Sequence, residues 1–379
     1  MVLILTTLGK GGTGRTTLAI ALAKRLAAQG QRTLLFSQEA GPGLGLLLGQ
    51  AIGPTPTELS PRFSALQSQS TSLIQQAWEQ LKQREAQYLR DPFFKNVYGE
   101  ELSILPGMDA ALAMNALREY AQAGQYDAIV YDGRSGPETL RTLGSLEVMS
   151  WYVRRFSQVI ADSSVYQSIQ PFFQPVAAAV LNSGWSSPAS GDPMAESTGL
   201  LEMGRSALGD GQRTIAYLVT TGDDLAIAQA QHLWGSAQQV GLNVGGVLVN
   251  GSGGNGLGNS SESGSESPQA WADRFPALPL SLLPQRSGDD WQALVDALPD
   301  PTLPSGGPTP LTLDLANNQA RIFLPGFDKS QVKLTQYNQE ITIEAGDQRR
   351  NIALPAPLKG RSVTGAKFQD QYLILSFQG

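Results

Sequence analysis

The segment Gly9-Lys-Gly-Gly-Thr-Gly-Arg-Thr-Thr17 constrains this chain more than any other, because it joins two elements of opposite kind. Before it, Val2–Thr7 is an apolar run of strand length. After it, Thr16–Gln29 places Leu18, Leu22 and Leu26 at helical spacing and stops at Gly30, a residue that takes the left-handed helix-ending conformation freely. A glycine-rich turn between strand and helix can aim successive backbone N–H groups at one point, and the helix N-terminus adds a favourable dipole, so the loop can ring a phosphate. Thr16 is placed to offer its hydroxyl to Mg²⁺. The strict form of such a loop has lysine where this chain has Arg15. A glycine-rich turn without a ligand is the alternative reading.

Further short apolar segments follow at Arg32–Ser37, Leu102–Leu105, Ala128–Tyr131, Ile215–Thr220 and Val244–Asn250, with helical patterns between them. That alternation predicts an α/β fold with a doubly wound, mostly parallel sheet. Asn182–Gly199 is rich in Ser, Gly and Pro, and Gly251–Pro268 holds six Gly and six Ser, which reads as a loop insertion. Leu298–Pro310 contains five prolines and reads as a semi-rigid spacer. From Leu311 the period changes to two. Arg321–Leu324, Gln331–Gln336, Glu340–Glu344, Arg350–Leu354, Ser362–Phe368 and Tyr372–Phe377 read as strands, with turns at Pro325-Gly326 and Ala345-Gly346. A small C-terminal β-sandwich is expected. The division is therefore 1–298 for the α/β domain, 299–310 for the linker and 311–379 for the sandwich.

Composition closes off several chemistries. The chain of 379 residues has no cysteine and one histidine, His232. Disulfides, thiolate zinc sites and cysteine nucleophiles are excluded, and a Ser-His-Asp triad nearly so. His232 reads as a packed or solvated helix residue. The net charge of −6 argues against a nucleic-acid binder. No stretch approaches the roughly 20 apolar residues of a membrane helix. Met1-Val-Leu-Ile-Leu lacks the basic region of a signal peptide, so a cytoplasmic protein that is not integral to the membrane is expected.

Lys10, directly after the first glycine, is the signature of the deviant phosphate loop. With it the chain resembles the family of the arsenite-transporter ATPase and the ATPase that guides tail-anchored proteins to membranes. The resemblance continues in order along residues 1–298. Ser37-Gln-Glu-Ala-Gly-Pro-Gly-Leu44 lies where that family has its first switch loop. Leu105-Pro-Gly-Met-Asp-Ala-Ala-Leu112 resembles its Pro-Gly-x-Asp segment, and Tyr131–Arg141 its second switch. Gly245–Asn250 resembles the strand whose terminal asparagine reads adenine, and Leu278–Pro284 the segment that closes over the base. The resemblance implies a P-loop NTPase fold and a homodimer in which Lys10 reaches the partner's nucleotide. It implies ATP or ADP held by Gly9, Lys10, Gly11, Gly12, Thr13, Gly14, Arg15, Thr16, Thr17, Asn250 and Pro284. Mg²⁺ would be held by Thr16 and Asp132, the latter a carboxylate at the end of an apolar strand.

The departures bear on turnover. Arg15 keeps the positive charge of the usual lysine, but its planar fork would position phosphates differently. The water-orienting aspartate of the first switch falls at Leu46, Ala40–Gly49 holds no carboxylate, and Arg134 stands where a small residue is usual. Losing such groups typically costs ~10²–10³ each in rate, so nucleotide binding is expected to outlast hydrolysis. Without thiolates, arsenite sensing and an interfacial zinc are excluded. Apolar faces on Ser70–Pro92 (Leu73, Ile74, Ala77, Trp78, Leu81, Tyr88, Leu89), on Trp151–Ile160 and at Phe172, Phe173, Val176 and Val180 fall in a helical region at about 55–210. They fit an ordinary core or dimer contact, and equally the family's groove for hydrophobic client segments. Leu324–Leu334, Ile341–Gly346, Arg349–Pro355 and Ala366–Phe377 resemble the α-crystallin domain of small heat-shock proteins. Such a domain could bind extended apolar segments, or brace the dimer.

Overall fold

The computed structural model describes residues 1–88, 96–105, 107–161, 193–251, 268–303, 307–337, 340–346, 348–354 and 356–378. The expected apolar positions Leu89, Phe172, Phe173, Val176 and Val180, residues 182–192 and residues 252–267 lie outside them, as do the side chains of Tyr88 and of 153–161.

The first strand, β1 (Leu3–Gly9), runs through the loop into α1 (Arg15–Ala28) and then β2 (Thr33–Ser37), as the pattern predicts. Gly30 has φ +90, and its N–H bonds Ala27 to close the helix. Then come α2 (Gly43–Leu48), β3 (Thr57–Ser60), β4 (Phe63–Gln67), α3 (Ser70–Tyr88), α4 (Met108–Gln122), β5 (Ala128–Asp132), α5 (Gly136–Ala161) and α6 (Pro193–Gly209). The domain continues through β6 (Thr214–Thr220), α7 (Asp224–Gln239), β7 (Asn243–Asn250), α8 (Pro268–Arg274), β8 (Leu280–Leu283) and α9 (Gln292–Ala297). Leu102–Leu105 is not a strand. The β3–β4 pair, which the apolar runs do not announce, takes the sheet edge instead.

The sheet has eight strands in the order β3-β4-β2-β5-β1-β6-β7-β8, parallel except where β3 meets β4. Alternation divides each strand between two cores. Ile215, Tyr217 and Val219 face the core around α1, and Ala216 and Leu218 face the one around α7. Helix α1 buries all of Leu18–Ala23 because α9 covers the side that the sheet does not.

The C-terminal strands are β9 (Leu311–Asp314), β10 (Gln319–Phe323), β11 (Val332–Tyr337), β12 (Glu340–Ala345), β13 (Gln348–Ala353), β14 (Val363–Gln369) and β15 (Tyr372–Phe377). They form antiparallel sheets β14-β15-β10-β9 and β11-β12-β13. Ile322, Leu373 and Leu375 from one pack on Ile341, Ile343 and Ile352 from the other, so the sandwich has its own core.

The proline-rich segment does not hold the sandwich away from the α/β unit. Phe323 belongs to the α7-side core, its ring 5.2 Å from that of Trp234. His232 is exposed on α7, with its ring edge-on to that of Phe327 at 5.7 Å. The Trp151 indole donates to Glu340 at 2.8 Å. Arg350 donates to the Gln238 carbonyl at 3.1 Å.

Candidate functional site

The loop after β1 lies where the sheet order reverses, since β2 follows on one side of β1 and β6 on the other. Open α/β sheets hold ligands at this carboxyl edge. Ser37, Asp132, Gly9, Thr220, Asn250 and Leu283 end the parallel strands β2, β5, β1, β6, β7 and β8 at this edge.

The loop is braced from both flanks. The Thr13 hydroxyl donates to the Lys10 carbonyl at 2.8 Å. The Asn250 carboxamide donates to the Thr13 carbonyl at 3.0 Å. Gly14, the N-cap of α1, has φ +91, and the Asn250 amide occupies the place a Cβ there would need. Above Gly11 and Gly12, by contrast, a Cβ would meet nothing within 4 Å. The loop is thus fixed from behind and open in front, as a phosphate cradle requires.

Asp132 is buried at the end of β5, in register with Ser37. The Ser37 hydroxyl donates to its Oδ2 at 2.9 Å, and its Oδ1 is buried without a hydrogen bond. Burial pushes this carboxyl above the usual range, the Ser37 and Thr16 hydroxyls and the Arg15 charge oppose that shift, and Glu39 adds to it. A buried carboxylate oxygen lacking a partner, beside a threonine hydroxyl and an open loop, suits a hydrated Mg²⁺. Among the described residues no group of three or more His, Cys, Asp or Glu could hold a metal ion. Thr16 and Asp132, the two residues named for Mg²⁺ from the sequence, are brought together at this edge.

The segment after β2 is pinned. Gln67 donates to the carbonyls of Glu39 and Gly41 at 2.6 and 2.7 Å, and the Tyr131 hydroxyl donates to Gln38. Leu46, on α2, is 78% exposed. Glu39 is half-buried, and its N–H donates to Ser37 Oγ.

Arg15 points to the segment that follows β5. Its Nη1 donates to the Gly133 carbonyl at 3.1 Å, and its Nη2 to that of Arg134 at 2.8 Å. Arg134 in turn pairs with Asp109 on α4 and reaches Ser70, at the start of α3, at 3.5 Å. Sequence reasoning named Arg15, Arg134 and the Asp109 segment separately and missed that they join. Lys10 is half-buried on the other flank. Its charge adds to the Thr221 hydroxyl and Ala226 N–H that hold the Asp223 carboxyl below the ordinary range. Pro284 follows Leu283, the register partner of Asn250, so Asn250 and Pro284 neighbour each other across β7 and β8.

Comparison with known proteins places the chain by sequence. The model of the anion-transporting ATPase family matches residues 1–255, and that of an HSP20-like domain found in ArsA matches residues 317–377. The "Putative arsenical pump-driving ATPase" of Chlorobaculum tepidum is 31% identical over 156 residues, 41% of this chain and 38% of that protein's length. The "Uncharacterized protein SCO2128" of Streptomyces coelicolor is 27% identical over 384 residues, 97% of this chain and 95% of its own. The "ATPase GET3" of Malassezia globosa is 25% identical over 250 residues, 64% of this chain and 70% of its own.

Proposed function

Because the chain belongs to the anion-transporting ATPase family, we propose that it is a homodimeric, nucleotide-gated chaperone or targeting factor for hydrophobic client segments, with weak or lost ATP hydrolysis. The observation that carries this reading is the buried Asp132 carboxylate, its Oδ1 free of hydrogen bonds, beside a braced and open glycine loop. Gly9–Thr17 supplies amides for a polyphosphate, Thr16 and Asp132 hold Mg²⁺, and Asn250 and Pro284 flank the base. Mg²⁺ supplies charge neutralisation of the phosphates when bound.

Weak turnover follows from two positions. Leu46 offers no carboxylate to orient water, and the Arg15 guanidinium lies on switch carbonyls. Removing preorganised groups of these kinds lowers rates by ~10²–10³ each. Lys10 completes the site from the partner subunit. Exposed Leu46, Leu225 and Leu282, next to the carboxyl edge, give that face apolar area for a second copy. Val148, Met149 and Tyr152 on α5, with Met203 on α6, form an exposed apolar surface suited to a client. No helix among the described residues is long and apolar enough to cross a membrane.

Calorimetry with ADP and ATP in Mg²⁺, paired with light scattering for mass, tests the reading. Binding to a dimer is expected. A folded protein that stays monomeric and takes up no nucleotide at millimolar concentration would sink it. Steady-state phosphate release separates it from an active ATPase that drives targeting or a transporter. The expected rate is near background, and brisk release would favour the enzyme.

A further inference from the structure

The two arginines at the site form a connected path. Arg15 leaves the first turn of α1 and uses both terminal nitrogens of its fork on consecutive carbonyls, Gly133 and Arg134, immediately after the Asp132 strand end. The next side chain along, Arg134, continues outward to Asp109 in the first turn of α4 and to Ser70 at the start of α3. A planar fork with donors in fixed directions can bridge two carbonyls, whereas an ammonium group is a point donor on a flexible stem. Charge-assisted hydrogen bonds of this kind are stronger than neutral ones.

The same guanidinium is the nearest replacement for the lysine that would touch a bound phosphate. It cannot donate the same N–H groups to both partners. We propose that Arg15 is a positioning residue that straps the second switch in the nucleotide-free protein, and that a polyphosphate in the loop competes with the Gly133 and Arg134 carbonyls for it. Nucleotide would then loosen the switch through Arg15, and Arg134 would carry that change to the ends of α3 and α4. Linkage makes the effect reciprocal: removing the strap must favour nucleotide by as much as nucleotide loosens the strap. This rests on the proposed nucleotide site, but the strap itself exists without nucleotide and can be tested alone.

The experiment uses the full-length parent, Arg15→Lys, Arg15→Ala and Arg134→Ala. Hydrogen exchange of the segment Gly133–Thr139 is followed first without nucleotide. Both Arg15 variants are expected to exchange about fivefold faster there than the parent, the loss of two partly exposed charge-assisted bonds. Arg134→Ala should speed exchange at 108–112 and 70–76 and change 133–139 less. Calorimetry with ADP and ATP in Mg²⁺ follows. Arg15→Lys should bind about fivefold more tightly than the parent, because it keeps a charge for phosphate and has lost the competing fork. A residue acting only in packing would weaken binding whenever it loosened the switch, so the opposite signs are diagnostic.

Unchanged exchange in both Arg15 variants would overturn the strap. Faster exchange with equal or weaker nucleotide binding in Arg15→Lys would overturn the competition. If no variant binds nucleotide, the functional reading and the competition fall together, and the exchange data still decide whether Arg15 holds the switch.

Discussion

Ser37 and Asp132 end neighbouring parallel strands in register, and the Ser37 hydroxyl donates to only one oxygen of the Asp132 carboxyl. The other oxygen is left buried and without a hydrogen bond, a costly arrangement for a group that ionises. Folding therefore raises the carboxyl above its ordinary value of 3.8, burial being the first cause. A group raised in the folded state favours folding below its unfolded value, and that contribution is lost as pH rises through the folded value. At neutral pH the charge is a cost. Asp132→Asn, without Mg²⁺ or nucleotide, should melt a few degrees higher than the parent at pH 7, the difference shrinking towards pH 4. Thermal melts across that range check it, and a lower midpoint at pH 7 would contradict the burial cost.

The Gly14 backbone and the Asn250 side chain occupy one another's limits. Gly14 has φ +91, and a Cβ there would run into the Asn250 amide. Gly14→Ala meets both a backbone penalty of about 1–3 kcal/mol and that clash. Urea denaturation should show the loss. Adding Asn250→Ala should return the clash portion and leave the backbone portion. If the double variant is no more stable than the single, the Asn250 contact is not what limits position 14.

Helix α7 and the sandwich approach so closely at Gly235 that a Cβ would collide with the Pro325 carbonyl and the Phe327 ring. One of those neighbours is backbone and cannot turn aside. Gly235→Ala should cost about 1–3 kcal/mol and loosen the sandwich, seen as faster proteolysis within 299–310. A variant as stable and as resistant as the parent would mean that the two units are not held at this point.

The glycine loop, the parallel sheet and the sandwich were legible because each rests on a local pattern: period, turn chemistry and the strand–loop–helix order. The strand β9 and the β3–β4 edge were missed because edge strands with mixed exposure show no clean alternation. In the site, Thr16, Asp132 and Asn250 all lie at the carboxyl edge of the sheet. The partners that fix them were not. Ser37 meets Asp132 only through the register of β2 and β5, and Arg15 meets Arg134 across 119 residues. Nor did the proline-rich stretch reveal that the sandwich docks on α5 and α7, since Phe323, Phe327 and Arg350 alternate like any other strand and turn residues until their partners are known.

Arg350, on β13, carries its charge into that interface. Its guanidinium donates to the Gln238 carbonyl at 3.1 Å, and burial lowers its pKa from the ordinary arginine value to about 10, the Glu147 carboxylate opposing the shift and Arg205 adding to it. A base lowered in the folded state is held charged at a cost at neutral pH, and the cost is relieved as pH rises through the folded value. Replacement by an apolar side chain of similar length removes the charge but keeps the packing. Arg350→Met should therefore be within about 1 kcal/mol of the parent at pH 7, or more stable, whereas Arg350→Ala should lose about 2 kcal/mol or more through the void it leaves. Between pH 9 and 11 the parent should gain on Arg350→Met. Urea denaturation at pH 7, 9 and 10.5 reads all three. Equal losses in Met and Ala variants at pH 7 would mean that the charge, not the packing, secures the interface.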